Sequence, residues 1–270
     1  GKLSRGLGDV YKRQISYLWS SYYEKLLPEI QLLDLPFYFK NKNEVKTLID
    51  NKFNKFVSEK LEDDLNLKLL GFWDNGARHI STNRSFINDE SSCSDLKIRT
   101  TPSELHINIF NKLGFISCPL DVRDFKKALS DDKIDAQENP LTNFWNFGVQ
   151  KSQKFLTLSS HLFGFCLFVV NQDFFNKLKD QEQELILKAA KETISYQYKL
   201  AEEDDSKLID MIKNENVQIY EMHVIWGWKC VHVVQNGLIL ISTARVSLRK
   251  YFIPGCVGRG LDLDLRIRPA

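Results

Sequence analysis

The stretch that most constrains the fold of this 270-residue chain is Leu96-Lys97-Ile98-Arg99-Thr100-Thr101-Pro102. Leu96 and Ile98 alternate with polar residues at the period of a short strand with one buried face, and Arg99 stands where that strand ends. Thr101-Pro102-Ser103-Glu104 has the form of a capping box with Pro at the first helical position, so the spacing predicts a helix that starts at once. Strand followed directly by helix is the unit of an open α/β sheet. In such sheets ligands sit outside the carboxyl ends of strands, and helix N-termini favour anions. A guanidinium placed there can fork onto a carboxylate with two parallel hydrogen bonds. An arginine at a strand end is ordinarily solvated or ion-paired at the surface, so this segment alone does not assign a ligand site. Its neighbours in the sequence do.

Size and composition set the outer limits. The chain is long enough for one large domain or two small ones. A hydrophobic content of 43% is ordinary for a folded protein, and no apolar run reaches the ~18 residues of a membrane helix. The formal charge of +2 conceals an uneven distribution: residues 15–221 hold 26 basic and 32 acidic side chains, and the excess of base lies in the two ends. An acidic body argues against a nucleic-acid surface. Residues 1–14, with Asp9-Val10-Tyr11-Lys12-Arg13-Gln14, read as adapter-like sequence outside the fold, and they lack the apolar core of a signal peptide. The five cysteines, at 93, 118, 166, 230 and 256, show no metal-ligand spacing, so no metal or cofactor is expected.

Along the body, Leu32-Leu33-Asp34-Leu35-Pro36-Phe37 reads as a buried strand stopped by proline. Residues 44–63 carry apolar side chains at helical spacing, from Val45 to Val57. Leu67 to Trp73 forms a continuous apolar strand, after which Asp74-Asn75-Gly76 is expected to turn the chain and present Arg78 and His79. Cys118-Pro119-Leu120 reads as a strand, a helix follows through Phe125, Ala128 and Leu129, and Lys133-Ile134-Asp135-Ala136 returns to the sheet to deliver Gln137-Glu138-Asn139-Pro140. Lys154 to Leu158 and Gly164 to Val170 read as two further strands. A helix starting near Asp180 runs to about Ile212, beyond the usual globular length.

These motifs, in this order, resemble the substrate-binding proteins of TRAP (tripartite ATP-independent periplasmic) transporters, the family of the dicarboxylate-binding DctP proteins. The motifs that carry the resemblance are Leu33-Asp34-Leu35-Pro36-Phe37, Trp73 to His79, Arg99, Asp135 to Pro140 and Lys154 to Leu158, within a span from Ile15 to Glu221. The resemblance implies a two-lobed α/β periplasmic-binding-protein fold with a cleft between the lobes and a long helix spanning both. It implies lobe I over residues 15–75, lobe II over 76–163, a return to lobe I with the spanning helix over 164–204, and a second contribution to lobe II over 205–221. It further implies that Arg99 grips a carboxylate while Arg78 and Asn139 complete its hydrogen bonds, with Asn75, His79 and Glu138 in support. Asp74, Asp135 and Glu138 are expected to orient the arginines or cap turns. The implied protein is a monomer in the periplasm that binds a small organic acid and hands it to TRAP membrane subunits.

A second class of function is an enzyme acting on an organic acid in the same cleft. It would need a nucleophile with its base, paired carboxylates or a metal, and no motif singles one out. The family's first strand–helix unit and its leader are expected to be missing, which would leave backbone edges exposed and the chain marginally stable. Residues 222–270, with Asn236-Gly237 between two apolar runs, depart from the family pattern and receive no function.

Overall fold

The protein is described by a computed structural model over residues 14–222. Residues 1–13 of the adapter-like segment, the Asn236-Gly237 pair, Cys230 and Cys256 lie outside the described residues. Seven strands form one mixed sheet: β1 (Ile15–Trp19), β2 (Leu67–Thr82), β3 (Lys97–Thr100), β4 (Ile116–Pro119), β5 (Ala136–Pro140), β6 (Phe155–Asn171) and β7 (Gln218–Glu221). Their spatial order is β1-β6-β2-β5-β3-β4, and β7 also pairs with β6.

Two very long strands tie the molecule together. β2 has 16 residues and β6 has 17, and they pair antiparallel from Leu67↔Asn171 to Thr82↔Phe155. One half of β6 carries β1, and the other half carries β7. The pairing is interrupted by irregularities at Leu69/Gly71, Asp74/Gly76 and Arg78/Ile80. Gly76, at φ +85°, supplies a left-handed backbone that a side chain would strain. Asp74-Asn75-Gly76 therefore does not turn the chain. It makes a bulge inside one continuous strand.

The same correction applies to the far strand. Lys154–Leu158 and Gly164–Val170 belong to one strand, β6, which passes through Ser160 at φ +42°. Leu32-Leu33-Asp34 is not a strand either: residues Pro28–Asp34 form a 3₁₀ helix that starts with Pro at its first turn. An apolar run ended by proline fits a short buried helix as well as a strand.

The helices cover the sheet. α1 (Lys42–Leu48) passes through a π-helical turn, Ile49–Phe53, into α2 (Asn54–Leu65), which matches the apolar stripe read over 44–63. α3 (Glu104–Lys112) begins two residues later than a Thr101 cap would place it. Ser103 is the N-cap, and its Oγ accepts from His106 N at 3.3 Å, while Thr101 Oγ1 meets His106 Nδ1 at 3.1 Å. α4 (Val122–Ser130), α5 (Leu141–Asn146) and α6 (Gln172–Asn176) follow. α7 (Asp180–Asn214) then runs for 35 residues.

Apolar burial explains why α7 can be so long. One core gathers Tyr23, Leu33, Val57, Phe72, Phe110 and Leu167, and a second gathers Phe125, Leu141, Phe144, Leu208 and Ile212. Tyr198 of α7 packs on the first core, whereas Leu208 and Ile212 belong to the second. The helix thus packs on one core through its middle and on the other through its C-terminal part, spanning a two-lobed α/β body. Next to Tyr198, Gln197 donates to Asp74 O at 2.6 Å and accepts from Asp74 N at 2.9 Å, completing the backbone bonds that the β2 bulge leaves open.

Candidate functional site

Arg99 is the penultimate residue of β3, which pairs in parallel with β4 through Arg99↔Cys118 and with β5 through Arg99↔Gln137. That placement puts it between two strand ends rather than at the protein surface, and only 2% of it is exposed. Its Nε and Nη2 donate to Leu120 O at 3.0 and 2.7 Å, and its guanidinium lies 5.2 Å from the Phe125 ring centre. No carboxylate among the described residues comes within 4.0 Å of it. Burial lowers its pKa to about 10, against the pull of Glu138, so it stays charged at neutral pH.

Arg78 lies just beyond the Gly76 bulge, and it too is 2% exposed. Unlike Arg99, it is already ion-paired. Its Nε donates to Glu138 Oε2, and its Nη2 donates to Glu138 Oε1 and to Glu138 O, both at 2.6 Å. The guanidinium stacks on Trp19 at 4.2 Å. Glu138 is fully buried, which alone would raise its pKa. The Arg78 charge and a contact with His161 Nε2 at 3.3 Å overcome burial and hold the carboxyl well below the usual carboxylate range. Glu138 thus fixes the direction of the Arg78 guanidinium.

Asn139 completes the group. Its Oδ1 is 3.4 Å from Arg78 Nη2 and 3.5 Å from Asn143 Nδ2, and its Nδ2 donates to Gln137 Oε1 at 2.5 Å. Gln137 Nε2 donates to Ser81 Oγ, which in turn donates to Gln153 Oε1, each at 2.6 Å. Strand geometry places Gln137 and Asn139 two apart on β5, so they share a face. The amide chain fixes which way the Asn139 side chain points.

The other expected supports differ in position. His79 pairs with Asn139 in the β2–β5 register, yet its Nδ1 accepts from Ser160 N at 3.2 Å. Burial keeps the ring neutral, with its pKa lowered to about 3, so it braces the kinked part of β6 and is not a base. Asn75 occupies the bulge, where a Cβ added at Gly164 would come within 3.4 Å of Asn75 Cβ and 2.7 Å of Trp19. Asp74 accepts from Gly76 N at 2.8 Å and pairs with Lys42 Nζ at 2.5 Å, and Asp135 accepts from Arg84 Nη2 at 2.8 Å and from Lys97 N at 3.0 Å. These two acids cap the bulge and tie strands together, and neither hydrogen-bonds Arg78 or Arg99.

Several members of the site carry no sequence motif. Tyr22 lies in electrostatic reach of Arg99, Asp121, Arg123 and Arg78, and burial followed by Asp121 pushes its hydroxyl pKa up. His161 holds Glu138 from the side opposite Ser159, whose Oγ lies 2.8 Å from His161 Nδ1. Glu24 accepts from Ser103 Oγ at 2.6 Å and from Glu104 N at 3.3 Å, so an internal carboxylate sits at the start of α3. No cluster of metal-ligating residues occurs among the described residues, and Cys93, Cys118 and Cys166 are free thiols.

The sequence matches the model of bacterial extracellular solute-binding protein family 7, DctP, over residues 11–226. The chain belongs to that family. Among DctP relatives, it is 32% identical over 200 residues to the 2,3-diketo-L-gulonate-binding periplasmic protein YiaO of Escherichia coli, which covers 74% of this chain and 61% of that protein. It is 25% identical over 198 residues to the C4-dicarboxylate-binding protein DctB of Bacillus subtilis, covering 73% of this chain and 56% of that one. The chain thus spans about three fifths of the length of the curated relatives it matches. Its fold is that of the sugar acid binding protein DctPAm from Advenella mimigardefordensis, solved with galactonate, at a TM-score of 0.85 and 24% identity, covering 93% of this chain and 82% of that one. A TRAP periplasmic solute binding protein from Sulfurospirillum deleyianum, solved with succinate, superposes at 0.80 with 25% identity, covering 91% and 83%.

Proposed function

We propose that this DctP-family chain is the extracytoplasmic receptor of a TRAP transporter, capturing a small organic acid and delivering it unaltered to membrane subunits. One observation carries the reading: Arg99 is a buried, charged guanidinium without a carboxylate partner among the described residues, beside a second arginine that has one. A buried charge is costly unless paired, so the arrangement is suited to an anion that arrives from outside. Arg99 grips the carboxylate, and Arg78 and Asn139 complete its hydrogen bonds.

The lobes proposed are residues 15–75 with 164–204, and 76–163 with 205–221. Closure of one on the other would expel water and strengthen the ion pair, making the closed form the one a membrane partner recognises. The working site is a monomer's own in the periplasm. An enzyme is the less favoured class: the buried Glu138 and His79 are committed to Arg78 and to Ser160, and the family is one of solute receptors.

A thermal-shift screen of small organic acids tests the proposal. Binding to the folded state alone adds about 2.7 kcal/mol of stability at a ligand concentration of roughly 100 Kd, several degrees in Tm for a protein of this size. At least one acid is expected to raise Tm by that much without being consumed. No shift across the whole panel, or turnover of the bound acid, contradicts the proposal.

A further inference from the structure

We propose that Lys42 of α1 is a positioning residue for ligand binding: its ammonium holds the Asp74 carboxylate on the Gly76 amide and thereby sets the β2 bulge that aims Arg78. The proposal rests on the receptor reading and adds to it a residue of a helix that supplies none of the groups proposed to meet the acid. Lys42 is the first residue of α1, and its Nζ lies 2.5 Å from Asp74 Oδ2, while Asp74 Oδ1 accepts from Gly76 N at 2.8 Å. The Asp74 side chain is only 1% exposed, so Lys42 rather than water meets its charge. From Asp74↔Phe165 to Gly76↔Gly164 the register advances by two residues on β2 and by one on β6. One extra residue in a strand shifts the alternation of the side chains that follow and re-aims them. Arg78 comes two residues later and before the next irregularity, so the face on which it meets Glu138 follows from this bulge.

A second acid makes Lys42 hard to replace. Asp205 of α7 stands over the same bulge, with its Oδ1 3.7 Å from the point that a Gly76 Cβ would occupy. Burial, joined by Asp74 and Asp204, raises the Asp205 pKa to about 6 against the pull of Lys42. Among the described residues no cation other than Lys42 comes within 4.0 Å of Asp74, and none comes that close to Asp205. Lys46, one turn further along α1, is committed to the Tyr198 ring at 4.7 Å. Without Lys42, two acids would face each other over the bulge with no cation between them, and the Asp74 carboxylate would lose its hold on Gly76 N. The contact also straddles the proposed lobe boundaries. Lys42 and Asp74 fall in one lobe and Gly76 and Asp205 in the other, so the clasp acts where the lobes join.

Isothermal titration calorimetry of the full chain, Lys42→Met and Lys42→Arg with D-galactonate provides the test. Folding is verified by circular dichroism, so that a loss of stability alone does not move the reading. Lys42→Met is expected to bind ~10-fold more weakly, a difference of about 1.4 kcal/mol, and Lys42→Arg, which restores the charge, within ~3-fold of the unaltered chain. Unchanged affinity in folded Lys42→Met overturns the inference and leaves the receptor reading intact. So does a loss in Lys42→Arg equal to that in Lys42→Met, which would make shape rather than charge the cause. If Lys42→Met does not fold, Lys42→Gln, neutral and still a donor, takes its place with the same expected loss. If galactonate does not bind the unaltered chain, the panel acid that gives the largest thermal shift replaces it. Silence of the unaltered chain across the whole panel overturns the receptor reading, and this inference with it.

Discussion

Arg78 and Arg99 are buried to the same 2% and are held in opposite ways. Arg78 is locked by a bidentate carboxylate, a backbone carbonyl and a Trp19 ring, so its charge is satisfied within the protein. Arg99 is held in direction by one carbonyl and a Phe125 ring, and no carboxylate among the described residues pairs with it. The difference teaches that two arginines of one buried site can divide the work of binding: one builds the floor and the other makes the grip. Removing support from the first should damage the fold, and altering the second should damage binding.

The largest effect is expected on the Arg78 side. Glu138→Ala leaves a buried guanidinium unpaired, so unfolding free energy should drop by ~3–5 kcal/mol, read from the urea midpoint. A loss below about 1 kcal/mol would break the contrast by showing that water pairs Arg78 as well as Glu138 does.

A pH-dependent effect of comparable size belongs to Asp34. Its folded pKa, raised to about 8 first by burial, lies above the ordinary value of about 4. Between these values the folded protein holds a proton that the unfolded chain has lost. Asp34 therefore contributes stability that is fully present below about pH 4 and is lost as pH rises through about 8, at up to ~1.4 kcal/mol per unit. Relative to Asp34→Asn, the unaltered chain should lose Tm between pH 5 and pH 8. An equal change in both proteins over that interval would rule out the buried neutral carboxyl.

The smallest effect is expected near Arg99. Ser103→Ala removes the α3 cap and one partner of Glu24, and should cost about 1 kcal/mol by chemical denaturation. A loss comparable with that of Glu138→Ala would mean that both sides of the site are equally structural.

How much of this was readable in advance depends on whether the cause was local. β3 and the position of Arg99 follow from alternation over a few residues, and α7 follows from its long periodic pattern. Arg78, Arg99 and Asn139 came through the family resemblance, and the structure puts Arg78 and Asn139 in contact and Arg99 in electrostatic reach of Arg78 and Glu138. The Arg78–Glu138 pair joins residues 60 apart, so sequence reading could suggest only that Glu138 orients an arginine, without saying which. Tyr22 and His161 had no motif at all, and only the packing of the 3₁₀ segment Ser20–Tyr23 and of β6 brings them in. Asp74-Asn75-Gly76 has turn chemistry, but the positive φ of Gly76 serves a bulge because β6 pairs with β2 on both sides of it. At α3 the sequence points to Thr101 as the cap, and in the structure Ser103 holds that place. The His106 backbone N donates to Ser103 Oγ, while Thr101 Oγ1 is taken up by the His106 ring.

The most direct test of the division of labour is a pair of readings on Arg99→Ala: calorimetric titration with the acid that gives the largest thermal shift, and the urea midpoint without ligand. The expected result is a loss of roughly two to three orders of magnitude in affinity, with a fall in stability no greater than the ~1.5–3 kcal/mol of a charged hydrogen bond. Unchanged affinity in a folded Arg99→Ala protein would contradict the account.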